Sequence, residues 1–183
     1  MTVNEIKPNI LCLEYRQEKS DKDYGSCLWA RFMFNLDRYE LTIISDCGSY
    51  GYKWRETPNS ESFLQLMART NDGYMLDKLY GRADIFDYDD TKAKIYEYFG
   101  DEEEDKEKLD EIFDEMEVYG GEPDTASEFM RVFEDNNDGD FCDVWEMLEY
   151  DYPSDALKIV SVFKECIQPY IREMLKEQKN ETT

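Results

Sequence analysis

Histidine is absent from this chain of 183 residues. The absence removes the commonest general base near neutral pH and the commonest metal ligand in proteins. It also excludes the serine and cysteine nucleophiles that a histidine activates. Hydrolases of those two types are therefore outside the functions that the sequence allows.

Cysteine occurs five times, and its spacing carries no metal motif. The five cysteines include no pair separated by two residues, which is the spacing typical of zinc sites and redox motifs. An odd number of cysteines without such a pair is typical of a reducing compartment such as the cytosol. We therefore expect no metal and no cofactor, and mostly buried, reduced thiols at Cys12, Cys27, Cys47, Cys142 and Cys166.

Long apolar runs are also missing. No stretch approaches the roughly 20 apolar residues that a membrane-spanning helix needs, and the first ten residues lack the basic and apolar regions of a signal peptide. The chain is nevertheless 41% hydrophobic and 15% aromatic, unlike a disordered acidic tail. We therefore expect a soluble cytoplasmic protein without membrane association, folded as a single domain over residues 1–183.

Basic residues are scarce in one part of the chain only. Residues 84–151 hold 27 acids and 5 bases, a net charge of −22. Residues 1–83 and 152–183 are nearly neutral, with net charges of −1 and 0. Concentrated charge destabilises a compact state through self-repulsion, and solubility alone needs far less of it. The concentration therefore indicates a basic partner for the middle of the chain.

Residues 1–57 show the alternation of β-strands. Ala30, Phe32 and Phe34 fall on one face of the clearest segment, and turn-forming residues separate it from its neighbours. Short strands joined by tight turns predict an antiparallel meander. The predicted strands are Ile10–Gln17, Ser26–Leu36, Tyr39–Asp46 and Tyr52–Trp54, with turns at Asp37–Arg38 and Gly48–Gly51.

Residues 58–151 change to a helical period. Thr125 and Glu128 have the spacing of a capping box, and Gly100 and Gly120–Gly121 are helix-ending signals. The predicted helices are Ser60–Ala68, Gly73–Tyr80, Asp89–Phe99, Asp101–Val118, Thr125–Phe133 and Asp143–Tyr150.

Residues 152–183 predict one long helix, Ser154–Lys179. Pro169 should kink or split it, because proline removes a helical hydrogen bond and clashes with the preceding turn. The predicted fold class is therefore α+β: an N-terminal antiparallel β-meander, a mainly helical acidic middle and a long kinked C-terminal helix. The apolar stripe predicted for that last helix is Leu157, Val160, Phe163 and Ile167.

The Asp101–Val118 helix carries the densest charge. Its apolar residues Leu109, Ile112, Phe113 and Met116 recur at helical spacing and predict one buried stripe. The carboxylates around that stripe should be exposed and are the predicted partner-binding residues: Glu103, Glu104, Glu107, Asp110, Glu111, Asp114, Glu115 and Glu117.

The spacing of these carboxylates resembles that of nucleic-acid phosphates. Residues 102–117 have a net charge of −8 over roughly 24 Å of helix, about one charge per 3 Å. One DNA strand carries one charge per ~3.4 Å of helix axis. The alternative interpretation is a merely solvated acidic face, and the charge of the whole 84–151 block favours the binding interpretation.

The segment EDNNDGDF, residues 134–141, resembles the start of a calcium-binding EF-hand loop. Counted from Glu134, however, Trp145 stands at position 12, where calcium requires a bidentate glutamate. Counting from Asp135 places Glu146 there but misplaces Gly139. An acidic turn between helices is the favoured interpretation, with calcium binding as an alternative.

Enzymatic activity and direct nucleic-acid binding find little support. A metal-dependent nuclease needs two or three convergent carboxylates and usually a lysine. Among 44 acids, matches such as Asp90-Thr91-Lys92 arise by chance and fall in a predicted helix. Base stacking on the aromatic residues would bring phosphate to an acidic protein, which repels it. We therefore expect a protein that is not an enzyme and binds no nucleic acid directly.

Two stretches carry a family resemblance. DYGSCLWARF (residues 23–32) and SDCGSYGYKW (residues 45–54) resemble segments of proteins from prophages and mobile elements of Firmicutes. The size, acidity and α/β pattern are similar to those of phage-encoded anti-CRISPR proteins that inhibit Cas9. The resemblance implies a Cas9-binding inhibitor acting in the bacterial cytoplasm, and it assigns no site residues.

These inferences predict a DNA-mimicking inhibitor. Its partner is a basic DNA-binding protein, with Cas9 first and other nucleases or nucleoid proteins after it. A protein–protein adaptor or an acidic chaperone of a basic protein is the alternative, and a calcium-binding protein is the third. The sequence leaves the oligomeric state open, including a homo-oligomer.

Overall fold

The computed structural model of the chain describes residues 3–58, 61–119 and 121–181. The chain forms two compact units: unit 1 comprises Met1–Arg82 and Pro153–Thr183, and unit 2 comprises Ala83–Tyr152. Together the units have the predicted α+β architecture, with an N-terminal antiparallel sheet followed by helices. Within the described ranges, no helix is long and apolar enough to cross a membrane.

Unit 1 begins with a four-stranded antiparallel sheet in the order β1-β2-β3-β4. Its hydrophobic alternation puts Ala30, Phe32 and Phe34 of β2 and Leu41 and Ile43 of β3 on one buried face, as predicted for the middle of β2. The strands are β1 (Ile10–Arg16), β2 (Trp29–Asn35), β3 (Glu40–Ser45) and β4 (Gly48–Lys53).

The turn predicted at Gly48–Gly51 is wrong. The strands β3 and β4 are joined by the two residues Asp46 and Cys47, and Ser45 pairs with Gly48. Gly48 has φ +103°, a conformation that glycine adopts without strain. The glycine therefore serves the turn from the first position of the next strand, and Gly51 lies inside that strand.

Helical segments from two parts of the sequence pack on the buried face of the sheet in unit 1. The side chains of Phe32 and Phe163 have ring centroids 6.1 Å apart, and those of Phe34 and Phe63 lie 6.4 Å apart. Ser62 begins the first helix with a reciprocal capping box to Gln65. The predicted start of that helix, Ser60, lies outside the described residues. The first two helices are α1 (Phe63–Arg69) and α2 (Asp72–Leu79).

The C-terminal helical region is long, as predicted, but a π-helical segment interrupts it. Helix α6 (Ser154–Val162) leads into π-helical turns at Phe163–Ile167 and then into α7 (Gln168–Glu181). Pro169 is the second residue of α7, two positions after the π-helical turns end. Its missing N–H accounts for the local change in the helical hydrogen-bond pattern. Leu157 is 37% exposed and lies outside the buried stripe, which instead includes Ile159 and Val162.

Unit 2 contains three helices and a small sheet that the sequence did not predict. The helices are α3 (Tyr88–Phe99), α4 (Glu103–Tyr119) and α5 (Ala126–Asn136). The predicted helix Asp143–Tyr150 is wrong: only Val144–Met147 forms a 3-10 turn, and Glu149–Asp151 is strand β6, paired with β5 (Ile85–Asp87). Thr91 fixes this arrangement, because its hydroxyl accepts a hydrogen bond from the Glu149 N–H (2.9 Å).

The ends of the unit 2 helices follow the sequence signals in part. Thr125 caps α5 by accepting a hydrogen bond from the Glu128 N–H (3.2 Å), and Gly100 stands at the C-terminus of α3. The predicted break after α4 falls at Gly120, which lies outside the described residues, and at Gly121, which has φ +73°.

The expectation of mostly buried cysteines is wrong for three of the five. Cys27 and Cys47 are buried, whereas Cys12, Cys142 and Cys166 are exposed. Cys12 lies on the outer side of β1, where alternate residues face solvent.

Candidate functional site

The acidic block of the sequence and unit 2 have almost the same boundaries. The charge is concentrated in residues 84–151, and the unit comprises Ala83–Tyr152. With 27 acids and 5 bases, pairing every base would still leave most of the negative charge uncompensated. The imbalance is therefore a property of one folded unit.

Helix α4 forms because of its buried stripe, in spite of its charges. Three acids in its first turn interact favourably with the helix dipole, but its last turn has no basic residue. Leu109, Ile112, Phe113 and Met116 are each at most 6% exposed. The Phe113 ring lies 5.4 Å from that of Tyr96 on α3 and 5.9 Å from that of Phe133 on α5. Contacts on both sides therefore fix which face of α4 meets solvent.

All eight predicted binding residues of α4 are exposed. Their role in binding a partner stays a prediction. Glu104 contacts Lys108 (3.6 Å), and the positions of the other seven divide them into three groups. One group faces α3, a second faces α5, and a third lies on the ridge between them.

The group facing α3 is partly neutralised. Glu117 accepts a hydrogen bond from Lys92 (2.8 Å) and another from the Tyr88 hydroxyl (3.3 Å). The Lys92 ammonium lowers the pKa of Glu117. Asp110 accepts a hydrogen bond from Tyr96 (2.6 Å), whose pKa is raised by burial and by that carboxylate. These two acids hold α4 against α3 and are less available to a partner.

The group facing α5 lines an acidic cleft. Glu111 and Glu115 of α4 lie opposite carboxylates at the end of α5 and in the loop after it, around a cleft of about 350 Å³. Lys108 contributes a positive charge there, through ion pairs to Asp140 (3.2 Å) and Glu104 (3.6 Å), and Asp140 raises the pKa of Lys108. The lining residues are Lys108, Glu111, Ile112, Glu115, Asp135, Asn136, Asp138 and Asp140.

The ridge carries the least compensated carboxylates. Glu103, Glu107 and Asp114 are exposed, and among the described residues none of them has an ion pair or a side-chain hydrogen bond. Together with Glu111 they form a row at successive spacings of four, four and three residues. Such neighbours lie roughly 6 Å apart on a helix and repel one another. A cationic surface laid along α4 would relieve that repulsion.

The cleft adds acids that the sequence reasoning did not assign to the site. Asp135, Asp138 and Asp140 were interpreted as part of an acidic turn, with calcium binding as the alternative, but they lie opposite Glu111 and Glu115. Arg131 contacts Asp135 at 3.6 Å. The signal that could have found them is the EF-hand-like segment itself, which begins in the last turn of α5.

The loop after α5, residues 137–141, is closed by the side chain of Asn137. Asn137 accepts a hydrogen bond from the Phe141 N–H (3.0 Å) and donates one to the Phe141 carbonyl (2.7 Å). Gly139 has φ +92°, and Phe141 is buried in the core of unit 2. The loop thus folds as a turn that anchors Phe141, with Asp138 and Asp140 on its cleft side.

Comparison with known proteins identifies a family for the chain. A model of the phage family Phage_phiTE_072, described only as a phage family, matches residues 4–173. No curated protein and no solved structure matches the chain. Since the matched region includes both units almost completely, the chain belongs to this phage protein family.

Proposed function

We propose that the protein is a non-enzymatic DNA mimic. In this proposal the carboxylates of unit 2 occupy the basic nucleic-acid groove of a DNA-handling protein and exclude DNA from it. The observation that carries the proposal is the row of exposed, largely unpaired carboxylates on α4 within a unit of net charge −22.

The spacing along α4 supports mimicry over simple acidity. The helix has 17 residues and is about 25 Å long, the length over which one DNA strand carries about seven phosphates. The buried stripe fixes the orientation of the carboxylates before a partner binds, which lowers the entropic cost of association. A protein that binds phosphate backbone through lysine and arginine would find a similar row of negative charges here.

Cas9 is the first partner to test. Membership of a phage family is compatible with an inhibitor of host defence, and the resemblance to anti-CRISPR proteins has the same implication. The basic channels of Cas9 that hold duplex and heteroduplex backbone would be the target. The host cytoplasm would be the place of action.

The test measures whether the protein competes with DNA. Cas9 loaded with guide RNA is mixed with labelled target DNA and increasing amounts of the protein, and bound DNA is followed by fluorescence anisotropy. We expect inhibition that weakens steeply as salt rises from roughly 50 to 200 mM, as for phosphate contacts. The triple charge reversal Glu107→Lys, Glu111→Lys and Asp114→Lys should weaken inhibition by at least about tenfold.

A matched control variant has the same net charge as the α4 variant. The variant Glu5→Lys, Glu173→Lys and Glu177→Lys changes three exposed acids of unit 1 and should inhibit like the wild type. Equal losses in both variants would mean that only total charge matters. Unchanged inhibition in the α4 variant would exclude this helix as the contact. If Cas9 is not bound, affinity capture from bacterial lysate at low and high salt tests other nucleases and nucleoid proteins.

Exposed aromatic residues of unit 2 support a second function, that of a protein–protein adaptor. Trp145 is 60% exposed and Tyr98 is 65% exposed, and such residues are frequent anchors of protein interfaces. The variant Trp145→Ala distinguishes the two functions. An adaptor should lose its partner in this variant at any salt concentration, whereas a mimic should lose it mainly in the charge-reversed variant.

A further inference from the structure

Three potential metal ligands meet at one end of the sheet in unit 1. The sulfur atoms of Cys27 and Cys47 and a carboxylate oxygen of Asp46 all lie within 4.8 Å of one another. The Cys27 Sγ and Asp46 Oδ1 atoms are 3.6 Å apart. Across the described ranges this is the one group of three cysteine or acidic ligands that converges in this way.

The fold brings these residues together from two places in the sequence. Cys27 lies two residues before β2, while Asp46 and Cys47 form the turn between β3 and β4. The Asp46 carboxylate accepts backbone hydrogen bonds from Leu28 (2.8 Å) and Trp29 (3.3 Å). Its orientation is therefore set by the backbone, in the way that outer contacts orient the ligands of metal sites.

Both thiols also contact backbone carbonyl oxygens. Cys27 Sγ lies 3.7 Å from the Trp29 carbonyl oxygen, and Cys47 Sγ lies 3.2 Å from that of Ser26. Both cysteines are buried, at 0% and 4% exposure, whereas Asp46 is exposed. The group is thus a pair of sheltered sulfur atoms with a solvent-accessible carboxylate beside them.

We propose that Cys27, Cys47 and Asp46 bind one zinc ion. Two sulfur ligands and one carboxylate suit a borderline-soft ion that prefers tetrahedral coordination, and water would fill the fourth position on the side of Asp46. Ligand atoms around tetrahedral zinc lie about 3.5–3.8 Å apart, so small side-chain movements complete the site. The ion would replace the two thiol protons, which pass to solvent.

Zinc at this position would tie the start of β2 to the β3–β4 turn. The site lies wholly in unit 1, so it is independent of the acidic surface and of the proposed DNA mimicry. The other cysteines of unit 1, Cys12 and Cys166, are exposed and do not converge with a carboxylate in the same way. They therefore provide a matched control.

Cobalt is the probe for the test, because cobalt bound by thiolate gives a near-ultraviolet charge-transfer band. The reduced full-length protein is titrated with Co²⁺ in excess Mg²⁺, which occupies carboxylate-only sites. We expect the thiolate band to saturate at one ion per chain and to disappear when Zn²⁺ is added. Absence of the band in the wild-type protein would overturn the proposal without any variant.

Variants then assign the ligands. The double variant Cys27→Ser and Cys47→Ser should lose the band, and Cys12→Ser with Cys166→Ser should keep it. Asp46→Asn retains both thiols and should bind Co²⁺ at least about tenfold more weakly. Zinc should also raise the Tm of the wild type and of the exposed-cysteine control. A band that survives in the Cys27/Cys47 variant, or one lost in the control, would contradict the assignment.

Discussion

Unit 1 and unit 2 differ in how many basic residues accompany their carboxylates. Unit 1 has 17 acids and 16 bases, and ion pairs compensate some of its acids. Glu14 contacts Arg16 (2.7 Å) and Arg31 (2.9 Å), and Glu61 contacts Arg69 at 2.5 Å. Unit 2 has 27 acids and 5 bases, and the ridge acids Glu103, Glu107 and Asp114 have no ion pair within the part of the chain that the structure describes. The excess of acids over bases is therefore a feature of unit 2 and not of the whole chain.

The difference indicates where each unit obtains its stability. In unit 1 the sheet, its helices and local ion pairs act together. In unit 2 the aromatic core must offset electrostatic repulsion, and Phe113 is central to it because its ring lies within 6.4 Å of those of Tyr88, Tyr96, Phe129 and Phe133. Variants in this core therefore test whether the two units are stabilised separately.

The largest expected effect follows the variant Phe113→Ala. Removing a buried phenylalanine costs about 3–5 kcal/mol, which is a large part of the stability of a typical domain. We expect the amides of unit 2 to lose protection in hydrogen exchange measured by mass spectrometry, while those of unit 1 keep it. Binding of the proposed partner should be lost at the same time.

Phe32→Ala is the matched control in unit 1. Phe32 is fully buried in the sheet core and lies beside Phe163, so this variant should expose unit 1 amides. If either variant lost protection in both units, the two units would unfold as one. Their stabilities could then not be assigned to separate sources.

Much of the fold could be predicted because local patterns determine it. The stripe Leu109, Ile112, Phe113 and Met116 identified α4, and alternation identified β2. The two-residue turn at Asp46–Cys47 was missed because Gly48 and Gly51 are the stronger turn residues. Strand β6 was missed because three residues form a strand only when paired with β5, about sixty positions earlier in the sequence.

The candidate site could be predicted less fully. Exposure of the α4 carboxylates follows from the position of the apolar stripe, so sequence alone sufficed for it. The cleft could not be predicted, because it depends on how the end of α5 packs beside Glu111 and Glu115. Spatial neighbours such as Lys92 and Glu117, 25 positions apart, are likewise invisible without the fold.

A smaller effect should follow a change in salt concentration. Like charges at helical spacing destabilise α4 by a few tenths of a kcal/mol per pair, and salt screens exposed charges. Raising the salt concentration should therefore stabilise unit 2 by about 1–2 kcal/mol and unit 1 by less. Hydrogen exchange at low and high salt measures both units in one sample.

The charge-reversed variant sharpens the salt experiment. With Glu107→Lys, Glu111→Lys and Asp114→Lys, the row of like charges on α4 is interrupted, so the gain from salt in unit 2 should shrink. An equal gain in wild type and variant would show that repulsion along α4 does not limit the stability of unit 2.

The smallest effect concerns one ion pair of unit 1, between Asp23 and Lys158. The Lys158 contact lowers the pKa of Asp23 from 3.8 to about 2, and a hydrogen bond from Ser26 adds to this effect. Because the folded-state pKa is depressed, the pair stabilises the fold above a pH of about 3.8. That contribution is lost as pH falls from there to about 2.

The variant Asp23→Asn removes this contribution. Hydrogen exchange in increasing urea measures the free energy of unfolding of unit 1. Above a pH of about 4 this free energy should be lower in the variant than in the wild type, and near a pH of about 2 the two values should be equal. Asp114→Asn in unit 2 is the counterpart: it removes a carboxylate that has no cation beside it and relieves repulsion along α4, so it should not lower stability at neutral pH. If the two variants behaved alike, paired and unpaired carboxylates would be energetically equivalent, and the contrast between the units would rest on charge number alone.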